Sequence, residues 1–190
     1  MHKFDPAKRA RLLSDERLKE MAPSEFLRTN GLSSGMSIAD IGCGPGFFAL
    51  PAAEIVGAKG RVYAVDTEPA MLNELRSRKP PENVTLLQSD ESRIPIGDGA
   101  CDLVLLAFVL HEAEDKVTFL RELKRLLQID GRLLLIDWEK KVEEKGPPFE
   151  ERIERTEAVC LTERAGFVVE EAGNINPSHY KVVATKSKEV

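Results

Sequence analysis

Two rhythms of apolar residues alternate along the chain. Short runs rich in Ile, Val and Leu at 37–41, 61–65, 84–87, 103–106 and 132–137 read as buried strands. Between them, longer stretches place apolar side chains three and four apart, the spacing of a helix with one buried face. These helices are expected at 47–56, 69–78 and 114–127, the last with Val117, Leu120, Leu123, Leu126 and Leu127 on one face. Upstream, Leu12, Leu13, Leu18, Met21, Phe26 and Leu27 predict short helices between 6 and 30, with Ser14 and Ser24 as N-caps. Downstream, the highly charged 139–145 segment predicts a mobile loop, 149–165 a helix, and 167–171 with 180–185 an antiparallel hairpin turning at Asn174, Ile175, Asn176 and Pro177.

Seven strands alternating with helices imply an α/β fold with a mostly parallel sheet covered on both faces. At 190 residues, one domain is expected over 1–190, with a helical leader or lid at 1–35, a ligand-binding core at 36–138, and a loop, helix and hairpin at 139–190. No repeat of fixed period interrupts this order.

Charge narrows the partners. The formal net charge of -5 supplies no global basic field for a nucleic-acid backbone or an anionic lipid surface, so neither partner is expected. The longest apolar run, 103–110, is far too short to cross a bilayer, and the first residues turn at once into charged sequence. Cys43, Cys101 and Cys160 are odd in number and far apart, which suggests neither a disulfide framework nor a metal site. A cytoplasmic protein, monomer or homodimer, is expected.

The chemistry begins at the turn after the first strand. Gly42, Gly44 and Gly46, with Cys43 and Pro45 between them, let the backbone turn sharply and approach a ligand near the start of the next helix. The dinucleotide fingerprint would need its third glycine where Phe47 stands, and Pro45 removes a backbone donor that a diphosphate would use. Asp40, inside the first strand, is costly to bury unless it is hydrogen-bonded or faces a cation. Asp66 ends the second strand at the position from which a carboxylate reaches ribose hydroxyls, and Asp90 follows the third. Singly, Asp66 could be a helix N-cap and Asp90 a turn residue; jointly with the glycine loop they read as a ligand crevice at strand C-termini.

These residues resemble the motifs of class I S-adenosylmethionine-dependent methyltransferases. The resemblance is carried by 38–46, by 62–66, by Gln88, Ser89 and Asp90 with Ile94 and Pro95, and by Asp102, Leu103 and Val104, and it spans about 36–138. It implies a three-layer, Rossmann-like, doubly wound seven-stranded sheet in the order 3-2-1-4-5-7-6 with strand 7 antiparallel. Within the family the chain is similar to small-molecule methyltransferases related to those of quinone biosynthesis and arsenite methylation. By this resemblance the cofactor is S-adenosylmethionine. Gly42, Cys43, Gly44 and Gly46 would pack on its methionine portion, Asp40 would hold the ammonium, and Asp66 would take the ribose. Thr67 and Met71 would flank the adenine, Asp90 and Glu91 would bind its edge, and Ala107 with Phe108 would lie beside the sulfonium.

The acceptor is expected to be a small molecule. Residues 107–110 lack the Asn or Asp, two prolines and aromatic of amino-directed DNA methyltransferases, and the cysteine positions do not provide the acceptor thiols of arsenite methylation. Methyl transfer is a displacement in which positioning alone can supply about 7–11 kcal/mol, so a catalytic base is optional. If the acceptor is a hydroxyl or amine, His111 beside Glu112 is the residue placed to take its proton, the alternative being a capping or shape-forming role. Trp138 would wall an apolar acceptor or simply pack. Phe4, Arg9 and Arg17 of the leader are candidates to close over the site. Two rival functions remain at this level: an NAD(P)-dependent reductase, which commonly needs Tyr and Lys four apart where this chain has Tyr63 with Thr67 and Tyr180 with Ala184, and a non-catalytic nucleoside-binding module.

Overall fold

A computed structural model describes residues 13–90 and 93–187. Among the described residues seven strands form one sheet, in the order third, second, first, fourth, fifth, seventh, sixth along the chain, and the described residues divide between Pro95 and Ile96 into two compact units. Among the described residues no helix is long and apolar enough to cross a membrane.

In the first unit, β1 (Ser37–Ile41), β2 (Arg61–Asp66) and β3 (Val84–Gln88) are parallel, with Ile38 opposite Val62 and Val62 opposite Val84. Such pairing needs helical crossovers, which α3 (Ala49–Val56) and α4 (Pro69–Ser77) supply. α3 turns Ala49, Ala52, Ala53, Ile55 and Val56 inward and stops at Gly57, whose φ of 65° few other residues would adopt. It begins two residues later than the sequence predicts. Gly46 has φ 91°, outside the helical range, and Phe47 and Phe48 instead pack edge to face at 4.9 Å.

Ahead of β1 stand α1 (Asp15–Met21) and α2 (Pro23–Thr29). Ser14 caps α1 as expected, accepting from the Arg17 N–H at 3.3 Å. Ser24 does not cap α2. Pro23, with its φ already near the helical value, takes the first helical position, and Ala22 before it both ends α1 and begins α2 at φ 40°.

In the second unit, β4 (Cys101–Ala107) and β5 (Leu127–Trp138) are parallel, joined by a 3₁₀ turn (Leu110–Glu112) and α5 (Lys116–Leu126). Asp115 fixes the start of α5 by accepting from the backbone and hydroxyl of Thr118, at 3.0 and 2.8 Å, so the helix starts after Glu114. β6 (Val168–Asn176) and β7 (His179–Thr185) form the expected antiparallel hairpin, but β6 continues through Asn176 and the turn falls at Pro177 and Ser178 rather than at 174–177; β7 runs antiparallel to β5, with Asp137 opposite Tyr180.

Two expectations fail in this unit for a single reason. Residues 149–165 are not one helix but a 3₁₀ turn (Phe149–Glu151) followed by α6 (Arg155–Arg164), because Arg152 is extended between them. Its side chain, 1% exposed, donates to the carbonyls of Glu139, Lys145 and Pro147 and to the carboxylate of Glu143. The 139–145 segment is therefore tied down rather than loose: Glu143 also accepts from Ser178, and Lys141 donates to the Pro177 carbonyl.

Candidate functional site

The turn after β1 uses its own backbone donors. Gly42 and Cys43 both donate to the Val65 carbonyl at 2.9 Å, Gly44 donates to Asp66 Oδ2 at 2.8 Å, and Gly46 donates to the Cys43 carbonyl at 3.0 Å. Pro45 has no N–H to give. Every main-chain donor from 42 to 46 is thus committed within the protein, and a diphosphate would find no nest of free N–H groups here. What the loop offers is close approach: at Gly46 a Cβ would come within 2.4 Å of the Leu75 side chain.

Asp40 lies beneath this loop and is 2% exposed. It accepts a backbone hydrogen bond from Ala49, but its Oδ2 is buried with no hydrogen-bond partner. Burial, with the Asp66 charge second, pushes its carboxyl up to about 7. An orphaned buried carboxylate oxygen is what a cationic ligand atom would satisfy. Asp66 is half-buried at the end of β2, with Oδ2 taken by Gly44 and Oδ1 by the Glu68 N–H at 2.9 Å. Two bonds leave a carboxylate room for about two more. Asp66 is not the cap of α4; Glu68 is, accepting from Ala70 at 3.4 Å. Desolvation raises the Asp66 carboxyl despite these donors.

The remaining predicted contacts of this unit differ in exposure. Thr67 is exposed just past β2, whereas Met71 is buried on the inner face of α4 with Leu72 and Leu75. Asp90 is exposed and accepts from the Arg93 N–H at 3.2 Å, which realises its turn role. Glu91, Phe4 and Arg9 lie outside the described residues. The Cys43 thiol is buried, and burial raises its pKa well above the ordinary thiol value, which disfavours the thiolate.

The second unit carries a dyad that sequence reading half found. His111, in the 3₁₀ turn after β4, places Nδ1 2.8 Å from Asp137 Oδ1, and its backbone N–H donates to Asp137 Oδ2 at 3.3 Å. Asp137, 1% exposed near the end of β5, also accepts from the Trp138 N–H at 2.9 Å. A carboxylate at Nδ1 fixes the proton there and leaves Nε2 as the basic nitrogen. Burial pulls the imidazole pKa down, but the bond to Asp137 and the charges of Asp137, Glu112 and Glu151 outweigh it, so the net shift is upward. Asp137 sat in plain view as the acid that ends the apolar run 133–136 of β5. Its partner is 26 residues away, and only the parallel pairing of β4 with β5 joins them.

Ala107 ends β4 half-buried, and the next residue, Phe108, has φ 62°, a conformation that costs a non-glycine residue free energy. Its ring stands 5.7 Å from Trp138 and 5.0 Å from His179, which are themselves 4.3 Å apart. Trp138 is further covered by the Arg152 guanidinium at 5.2 Å and by Gly146, where a Cβ would come within 2.7 Å of the indole. Trp138 therefore packs among its neighbours.

Residues 39–135 match the family described as a methyltransferase domain. Over 117 residues the chain is 34% identical to a ubiquinone/menaquinone biosynthesis C-methyltransferase, UbiE, of Idiomarina loihiensis, covering 60% of this chain and 47% of that one; it spans about half the length of the curated relatives it matches. A crystal structure of a SAM-dependent methyltransferase from Aquifex aeolicus is 35% identical, with a TM-score of 0.91, over 96% of this chain and 99% of that one. An arsenic(III) S-adenosylmethionine methyltransferase from Chlamydomonas reinhardtii is similar in fold, at 23% identity and a TM-score of 0.65 over 83% of this chain and 65% of that one.

Proposed function

Since the chain belongs to the methyltransferase domain family and uses S-adenosylmethionine, we propose that its acceptor is a small organic molecule with an ionisable O–H or N–H, and that His111 removes that proton. The observation that carries this reading is the 2.8 Å contact between His111 Nδ1 and buried Asp137. A histidine held in one tautomer by a carboxylate is equipped to move a proton, and a purely capping residue has no need of it.

When bound, S-adenosylmethionine supplies an electrophilic methyl group on sulfur whose departure leaves a neutral thioether. We assign Asp40 to its ammonium, because the unpartnered Oδ2 fits a cation, and Asp66 to the ribose hydroxyls through its remaining acceptor positions. The assignments of Gly42, Cys43, Gly44 and Gly46 to the methionine portion, of Thr67, Met71, Asp90 and Glu91 to the adenine, and of Ala107 to the sulfonium region rest on the family resemblance. His111 Nε2 takes the proton that the acceptor sheds. Asp137 holds Nδ1–H in place and steadies the imidazolium that forms.

Incubation with methyl-labelled cofactor and a panel of phenols, hydroquinones, amines and thiols tests the reading. Label should pass to an O–H or N–H bearing acceptor, and His111→Ala should lower kcat by about 10²–10⁴ with cofactor affinity nearly intact. An undiminished rate in that variant would remove His111 from the chemistry. Hydroquinones belong in the panel because the curated relatives are named for ubiquinone and menaquinone biosynthesis.

A further inference from the structure

Beside the His111–Asp137 pair lies a buried phenol, Tyr180. Asp137 and Tyr180 stand directly opposite each other in the antiparallel pairing of β5 with β7. Opposite residues of such a pair project from the same face of the sheet, with Cβ atoms about 5 Å apart. Trp138 and His179, the next pair along, meet on the other face, their ring centres 4.3 Å apart. Glu139 continues the ladder by donating its N–H to the Ser178 carbonyl at 2.9 Å, which returns its side chain to the face of Asp137. Asn174 of β6 pairs with Tyr180 from the far side, so Tyr180 lies between Asp137 and Asn174 and is fully buried. α6 covers this face: its Arg155 donates to Asn174 Oδ1 and lies 3.7 Å from Glu139 Oε1.

On that face Tyr180 Oη and Glu139 Oε1 are both buried with no hydrogen-bond partner. Asp137 has acceptor capacity left as well. Its Oδ1 takes His111 Nδ1–H and the Trp138 N–H, whereas Oδ2 takes only the His111 N–H. One hydroxyl donor and two carboxylate acceptors are what a single water satisfies, accepting from the phenol and donating one hydrogen to each acid. We propose that Tyr180 is a positioning residue for the His111–Asp137 pair, holding with Glu139 a buried water that donates to Asp137 Oδ2. A donor there fixes the carboxylate against His111 and withdraws part of its charge, so Tyr180 tempers the basicity of the imidazole. The charged groups acting on His111 are Asp137 of β5, Glu112 of its own turn and Glu151 of the turn before α6; those around Tyr180 are Asp137, Glu139, and Arg155 with Glu157 of α6. This role rests on the reading of His111 as the base.

Titration of the His111 ring by NMR in the full chain, its resonance assigned by loss in His111→Ala, tests this without an acceptor. Tyr180→Phe keeps the ring and removes the donor, and should raise the His111 midpoint by about 0.3–1 pH unit. A variant that merely loosened the packing would instead let the imidazole fall back toward its ordinary 6.5. In an Asp137→Asn background Tyr180→Phe should shift the midpoint no further. A crystal structure of the wild type should show a water in hydrogen-bonding reach of Tyr180 Oη, Glu139 Oε1 and Asp137 Oδ2, and it decides alone if the phenylalanine variant does not fold. An unchanged or lowered midpoint, an equal shift without the Asp137 charge, or no water at that place would overturn the role. An undiminished rate in His111→Ala would overturn the base reading instead and leave the titration result intact.

Discussion

On the proposed assignment, Asp40 trades the stability of the free protein against ligand capture. With its carboxyl raised to about 7, the folded chain holds a proton that the unfolded chain releases near 3.8, so stability falls as pH rises across that window. Asp40→Asn should remove a penalty on the order of 4 kcal/mol or less at pH 8 and change little at pH 4; thermal melts at the two values check this. A cationic ligand group favours the ionised acid, so S-adenosylhomocysteine affinity should climb between pH 6 and 8 in wild type and stay nearly flat in the variant. Arg17, lowered by burial to about 10, stays charged throughout, and Asp66, also raised, contributes a residual slope of the same sign. A pH-independent affinity in wild type would separate Asp40 from the ligand. For Asp66→Ala the expected loss of cofactor affinity is about 10–100-fold, and unchanged binding in a folded variant would refute the ribose assignment. As the proposed base, His111 has to be neutral, and its pKa is raised above 6.5, so kcat/KM should rise through a limb above that value. Asp137→Asn removes the charge while burial persists, which should lower kcat and move the limb to lower pH. A limb that stays put would make Asp137 merely structural.

The element most dependent on one side chain is the 139–148 segment. Arg152→Ala would strand three carbonyls and the Glu143 carboxylate, and removal of one partner from such a buried set costs about 3–5 kcal/mol. Burial alone would raise Glu143, yet donors from Lys141, Ser178 and Arg152 bring it down to about 2, so its bonds stabilise the fold above its ordinary 4.5 and are lost only as pH falls toward 2. Trp138 is the single tryptophan and touches Arg152, so its fluorescence should report the loosened loop, with urea unfolding measuring the cost. Unaltered emission and midpoint would show that the segment is held by something else. Sequence reading failed at this element because charge density ordinarily signals solvation, and nothing local marks an arginine as the centre of a carbonyl cage. The same limit explains Ser24, where Pro23 overrode capping preference, and Asp137, whose partner lies on another strand's loop. The strands and the helices between them were legible because their periodicity is local, and Gly42, Gly44 and Gly46 because positive φ favours that residue type.

For the molecule as a whole, ligand binding and folding are one equilibrium. S-adenosylhomocysteine at a hundred times its Kd should stabilise the native state by about 2.7 kcal/mol, read as a rise in Tm, and NAD should produce none. A shift with NAD alone would return the reductase reading. The seven-stranded order and family membership agree with the resemblance carried by 38–46 and 62–66, whereas the acceptor is not written in any local motif.

The glycine turn also bears on redesign. Because the carbonyls of Val65 and Cys43 and the Asp66 carboxylate already consume its amide protons, converting this scaffold to nicotinamide use would require more than restoring a missing glycine at position 47 or relieving Pro45. The strand end itself would have to be rebuilt so that those amides turn outward, which makes a switch of cofactor class by a single substitution in the turn inaccessible to this chain.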